Sequence, residues 1–523
     1  MDVDQNTTKL RSTTTGCILH MHLDILYKIF EILIEKNEDP HLSILRHGSQ
    51  VCTRWRGLLL SSPSLWGKSL DFDVLMDKPA WRDEVVRRSG ESFVHITRLG
   101  GVGRSLGLFD KEEEVFLGSF IKDNWERIKS LRITLPVESV ITKLFDISLL
   151  QSPHLHLEEL EVREHYMLLR DKASSVPVHH RYIQGVERSM WRADFGGHAP
   201  RLRRYLTGPT FQFPYRTSWL QHLREAHVTL SDCFVPDVLD KLCNMTSLEH
   251  LQLTLEAVRT AHPDARARMS NLVLPRLKYL CVISTGHTPE FIDLVNYIKP
   301  RAGCSVHVAI HYWNALSASD ISAIVRALAA FPWNDGEGGQ DQDSAIEVDG
   351  TAIRIKSPSN QFYLRGPFGR DLWTPCLQHF AASPSFFCNA KAMRLLLGEE
   401  VVDSFPSADM TFTQILSNMS SLVHLSTDWI TLRLIHRLSV DDEPNPGSRR
   451  VLPALESLTV WGPSNGDLND LEVWLDYRAR HTLIPIQNVT IHWPFEDCPS
   501  LEVFQRFTNL QVVLFDWKGD LTP

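Results

Sequence analysis

The sequence predicts an α/β chain in two parts, a small N-terminal helical module and then an irregular solenoid of strand–helix repeats. Asp24 to Lys36, DILYKIFEILIEK, has a helical period with one narrow polar stripe. A second amphipathic run follows and stops at Ser61–Pro63. Apolar residues at i, i+3 and i+5 then recur along the chain, with middle positions 226, 251 and 280 (25 and 29 apart) and 425, 458, 489 and 513 (33, 31 and 24 apart). Such periods indicate stacked repeats.

On the first helix only Lys28, Glu31 and Glu35 form the polar stripe, while Ile25, Leu26, Tyr27, Ile29, Phe30, Ile32, Leu33 and Ile34 cover the rest. Ile29 and Leu33, with Trp55, are expected to face the internal core. The surplus apolar face must then meet the rest of the chain or another protein. Asp39 can cap the next helix and Pro40 can take its first position, where a missing N–H costs nothing. Leu42, Leu45, Val51, Cys52, Trp55, Leu58 and Leu59 continue it in steps of three and four.

These residues resemble a known family. MHLDILYKIFEIL, followed by HLSILRHGSQVCTRWRGLLLSSPSLW, is similar to the F-box, most specifically at Val51, Cys52, Arg54, Trp55 and Ser62 to Trp66. The resemblance covers 21–66; Met21-His22 stands where the family has Leu-Pro, and Asp24 where it has a first-turn Glu. It implies a non-catalytic role, in which the module docks on the Skp adaptor of a cullin-RING ubiquitin ligase core and the remainder holds a protein target. The adaptor-binding residues it implies are Leu23, Ile25, Leu26, Ile29, Phe30, Ile34, Val51, Cys52 and Trp55.

The expected organisation is a disordered N-terminus (1–19), the F-box-like module (20–70), a linker helix and first strand (71–127) and a repeat region (128–523). Matches to the template are Ile128/Leu131/Ile133, Leu157/Leu160/Val162, Leu248/Leu251/Leu253, Leu277/Leu280/Val282, Leu455/Leu458/Val460, Ile486/Val489/Ile491 and Leu510/Val513/Phe515. Leu223/Ala226/Val228 and Leu422/Leu425/Thr427 match less well. The last two positions face a common core as a strand, and the first sits in the turn before it. Pro200-Arg-Leu202, Pro275-Arg-Leu277 and Pro453-Ala-Leu455 mark such turns. Helical stretches (FVPDVLDKLCNM, FIDLVNYIKP, DISAIVRALAAF) lie between strands. The array resembles the irregular leucine-rich repeats found behind fungal F-boxes, without the Asn ladder of regular ones.

Residues 165–199 and 333–377 break the period; the second begins with NDGEGGQDQD, a flexible exposed loop by composition, and holds a hairpin signal at Val348–Thr351. By alternation Gln252, Thr254, Thr459, Trp461, Thr490, His492 and Asp516 face the open side and are the candidate target-binding residues, Trp461 foremost.

A formal charge of -9 excludes binding of nucleic acid by overall field. Nine scattered cysteines without a CxxC pair give neither a disulfide framework nor a zinc site and fit a reducing, cytoplasmic or nuclear compartment. The N-terminus lacks a signal-peptide pattern, and no apolar run is long enough to span a membrane. No catalytic motif, metal-ligand set or cofactor fingerprint emerges. Two other readings stay open: an interaction scaffold that binds no ligase, and an enzyme built from the two interruptions.

Overall fold

A computed structural model of the chain describes residues 21–36, 41–99, 111–136, 147–165, 191–208, 211–212, 214, 217–259, 271–284, 289–300, 304–310, 319–320, 323, 326, 344–349, 352–356, 361–365, 390–397, 410–441, 451–462, 467–481, 484–493 and 500–516. They form helices and mostly parallel strands, an α/β class. The chain divides into two compact units, Met1–Thr229 and Leu230–Pro523.

The first unit opens with four helices, α1 (Leu23–Lys36), α2 (His41–Val51), α3 (Thr53–Leu60) and α4 (Pro63–Gly67). The expected cap at Asp39 and Pro40 lies outside the described residues. Cys52 starts α3 by accepting the Trp55 N–H on Sγ at 3.5 Å, and Pro63 opens α4, where its missing donor is harmless. The Trp66 indole is fully buried and donates to the Leu59 carbonyl at 2.8 Å, tying α4 to α3.

Next come β1 (Leu70–Asp71), α5 (Phe72–Leu75), α6 (Pro79–Ser89), β2 (Val94–Arg98), α7 (Lys111–Asp123), β3 (Ile128–Pro136), α8 (Ile147–Gln151), β4 (Glu159–His165), β5 (Trp191–Arg192), β6 (Arg204–Thr207), β7 (Phe211–Gln212) and β8 (Glu225–Phe234). The order β1-β2-β3-β4-β6-β8 is parallel throughout and puts Leu70, Ile96, Leu131, Leu160, Tyr205 and Ala226 in one buried row. A parallel pair needs a crossover between its strands, which is why the repeat is long.

The second unit holds α9 (Val235–Leu242), β9 (His250–Arg259), β10 (Leu272–Leu274), β11 (Tyr279–Ser284), α10 (Pro289–Tyr297), β12 (Ile298–Pro300), β13 (Ser305–Ile310), β14 (Ser344–Asp349), β15 (Ala352–Lys356), β16 (Gln361–Arg365), β17 (Ala390–Leu396), α11 (Met410–Asn418), β18 (His424–Asp428), α12 (Trp429–Asp441), β19 (Ser457–Trp461), α13 (Asp467–Arg480), β20 (Asn488–Trp493) and β21 (Gln511–Asp516). Leu251, Leu280 and Val306 share a row on β9, β11 and β13, and Met393, Leu425, Leu458, Val489 and Val512 share one on β17 to β21.

The proline-marked turns work through the main chain. Leu202, Leu277 and Leu455 are buried, and the next residue donates its N–H to the preceding repeat: Arg203 to Glu158, Lys278 to Glu249, Glu456 to Val423, at 2.8, 2.8 and 3.0 Å. The turn leucine fills the core while the following amide begins the ladder.

The hairpin expected in the 333–377 interruption is present, and it carries the sheet across: β14 and β15 pair with Asp349 opposite Ala352, β16 joins β13, and β14 joins β17. The acidic loop before them lies outside the described residues, as do 166–190 and most of DISAIVRALAAF. Two expectations are corrected. Ile298–Pro300, read as the end of a helix, is a strand parallel to β10. In β21 the phase is reversed: Val513 and Phe515 are exposed, and Val512 takes the inward row. Val512, Val513, Leu514 and Phe515 are apolar without alternation, so the strand itself does not choose a face. Its register is the one that pairs Val512 with Val489 on β20, and the turn before it holds Asn509 in a left-handed backbone (φ 68) that asparagine tolerates.

Candidate docking surfaces

Helix α1 is apolar over most of its circumference, and the fold divides that surface in two. Leu26, Phe30 and Ile34, spaced i, i+4 and i+8, are buried. Phe30 meets the Trp55 ring edge-on, with centroids 5.3 Å apart at 88°. Gly48 on α2 lets that packing form, since a Cβ there would come within 2.9 Å of both the Phe30 ring and Leu59 Cδ1. These three residues therefore lie inside the module's own core, and their expected place on the adaptor surface is corrected.

Ile29 and Leu33 move the opposite way, from expected core to surface. Together with Ile25 and Ile32 they make an outward stripe, with exposures of 55% at Ile25, 37% at Ile29, and 38% at Ile32 and Leu33. Leu23 and Val51 are also exposed, while Cys52 and Trp55 are half-buried. The helix period allowed either stripe to face inward; the position of Trp55 and the gap at Gly48 decided it.

The polar stripe anchors the helix. Lys68, beyond α4, lies 2.7 Å from both Glu31 and Glu35, and Lys28 lies 2.6 Å from Glu31. Hydrogen bonds from Lys28 and Lys68 pull the Glu31 carboxyl down to about 2. A carboxyl held below its unfolded value stabilises the fold above about pH 4.5 and loses that contribution as pH falls toward 2. Thermal melts between pH 6 and 2 should therefore show a drop in melting temperature across that window, and Glu31→Gln should flatten it.

The other candidate residues lie in the second unit. Gln252 and Thr254 flank buried Leu253 on β9, and Thr459, Trp461, Thr490 and His492 take the half-buried outer positions of β19 and β20. Asp516 does not join their row: it pairs in register with Trp493, a buried position, and Phe515 pairs with His492. The correction follows from the reversed phase of β21.

The structure thus builds an aromatic ladder that the sequence reading missed. Trp461 and His492 stack at 3.7 Å and 5°, and His492 and Phe515 at 5.4 Å and 14°. Trp461 Nε1 donates to Ser426 Oγ at 2.8 Å, and the Arg394 guanidinium stands 5.8 Å from its ring. Parallel strands in register place like positions side by side every ~4.8 Å, which favours such stacks. Burial lowers the His492 pKa, so the imidazole is neutral at pH 7. The signal available in the sequence was one aromatic at the fifth position of each of the last three strands.

Among the described residues, no three His, Cys, Asp or Glu side chains are arranged to hold a metal ion, and no helix is long and apolar enough to cross a membrane. Compared with protein-family models and with curated proteins, the sequence gives no match.

Proposed function

We propose that this chain is the substrate-recognition subunit of a Skp/cullin/F-box ubiquitin ligase, working in the cytoplasm or nucleus. The observation that carries the reading is the outward stripe of α1. Ile25, Ile29, Ile32 and Leu33 stay exposed although the same helix has already closed a core with its opposite face. These four large aliphatic side chains, 37–55% exposed, each forgo roughly half of the about 1.5–3 kcal/mol that full burial is worth, which a partner that covers them recovers. The F-box-like sequence names the Skp adaptor as that partner, and the Cys52 cap and buried Trp66 serve to hold the α1 platform in place.

On this reading the strands form an irregular leucine-rich-repeat-like solenoid, and a protein target lies on their outer face. The Trp461–His492–Phe515 ladder is its best anchor, because the few residues that dominate binding energy at interfaces are enriched in tryptophan. No residue is assigned to catalysis; the subunit acts by holding its target close to a transferring enzyme.

The test is co-purification of the full chain with a Skp adaptor. Capture is expected for the unaltered protein and for Trp461→Ala, with loss for the Ile25→Asp/Ile29→Asp double variant. A folded protein that captures no adaptor would leave the scaffold reading, in which the same stripe serves a different partner.

A further inference from the structure

The outer face of the first unit's sheet carries a cleft of about 750 Å³, closed on one side by the end of α1 and the start of α2. Its lining crosses β1, β2, β3, β4 and β6, from Asp71 to Arg204. At ~4.8 Å per strand those four spacings make about 19 Å. That is much longer than one side chain, and close to five residues of extended peptide at ~3.4 Å each.

The lining cations already have partners. Lys68 lies 2.7 Å from Glu31 and Glu35, and Arg132 donates to Glu161 at 2.9 Å. Arg204 stands 2.9 Å from Glu225 and 3.5 Å from Glu161, a carboxylate that is itself fully buried. Phosphates or carboxylates entering the cleft would have to displace these acids.

The acceptors are in the opposite state. Glu159 receives one hydroxyl, from Ser130 at 2.7 Å, and pairs with no cation among the described residues. His95 has no hydrogen-bond partner among them, and His41 Nδ1 is buried without one. Burial lowers the pKa of both imidazoles, with Lys68 adding to the effect at His95 and Arg132 at His41. Each is neutral at pH 7 and offers a ring nitrogen as acceptor. The cleft lining therefore holds a carboxylate without a cation partner among the described residues and two neutral imidazoles.

We infer that this cleft binds a basic segment of a protein, about five residues long, whose central arginine or lysine side chain is held by Glu159, His95 and His41. A guanidinium brings five N–H donors in a fixed fork and an ammonium three, either of which can pair with a carboxylate and donate to an imidazole nitrogen as well. The assignment does not depend on the ligase reading, since every lining residue belongs to the first unit and none lies on the outward stripe of α1.

Fluorescence anisotropy on the full chain tests it, with labelled Gly-Ser-Arg-Ser-Gly, its lysine counterpart and its uncharged citrulline counterpart as probes. The arginine or the lysine peptide, or both, should bind saturably, and the citrulline peptide about ten-fold more weakly or worse. Glu159→Gln keeps an acceptor for Ser130 but removes the charge, and should weaken cationic binding about ten-fold. Thr97→Arg, which sets a cation inside the cleft, should abolish it, while Trp461→Ala in the second unit should leave it unchanged. Equal affinity for the citrulline peptide, unaltered affinity in folded Glu159→Gln, or saturation by spermidine with no peptide binding would each overturn the inference.

Discussion

Phe30→Ala should destabilise the first unit by about 3–5 kcal/mol, the usual cost of emptying a buried phenylalanine site. Its ring closes the module's core against Trp55 and over Gly48, and the stacked helices leave little room for collapse. Ile25→Ala or Ile29→Ala, one residue from the buried face, should shift stability by no more than about 0.5 kcal/mol, because neither loses a packed environment. Chemical denaturation of the three single variants checks the contrast. A large loss at Ile25 would show the outward stripe to be covered in the free chain. The contrast also determines which variants can probe adaptor binding: a charge at Phe30 would unfold the module, whereas charges at Ile25 and Ile29 alter only its surface.

The second large effect is expected at Arg478. This side chain is 2% exposed, has no carboxylate partner among the described residues, and donates to the main-chain carbonyls of Leu452, Leu455 and Ile484 at 3.2–3.4 Å. Leu452 sits in the left-handed region (φ 48), a strained position for a residue with a branched side chain, and its carbonyl takes two of Arg478's bonds. Burial lowers the arginine pKa to about 10, which still leaves it charged at pH 7. Arg478→Met should cost about 3 kcal/mol, since it strands three carbonyls that water reaches poorly. The loss should be read in unfolding of the full chain, accompanied by faster amide exchange in β19 and β20. A neutral result would mean that water replaces the guanidinium.

Much of the architecture was legible because repeat spacing and strand alternation are local properties. Leu131, Leu160, Ala226, Leu251, Leu280, Leu425, Leu458 and Val489 were all picked out by the template, and each lies in a buried row of parallel strands. The template missed the strands at Ile96, Tyr205, Val306 and Met393, which share those rows: Arg98 stands where it needs a third apolar residue, Tyr205 puts an aromatic in the middle, and Gly303 and Ala390 leave its turn position without a large apolar side chain. Cys52 and Trp55 were singled out by resemblance, and the structure gives them definite physical roles as a helix cap and an aromatic partner.

By itself the sequence determined the periods that mark most of the helices and strands, that α1 carries more apolar surface than one core can take, and that the strand template recurs at crossover length. Those follow from periodicity and turn chemistry, which act within a few residues. Tertiary structure alone decided which stripe of α1 turns inward, which face of β21 is buried, and that Glu159, without a cation partner among the described residues, shares one cleft lining with two neutral imidazoles. Each depends on groups distant in the chain, such as a glycine on α2, a register transmitted from β20 and residues from several strands, and a local pattern carries no record of them.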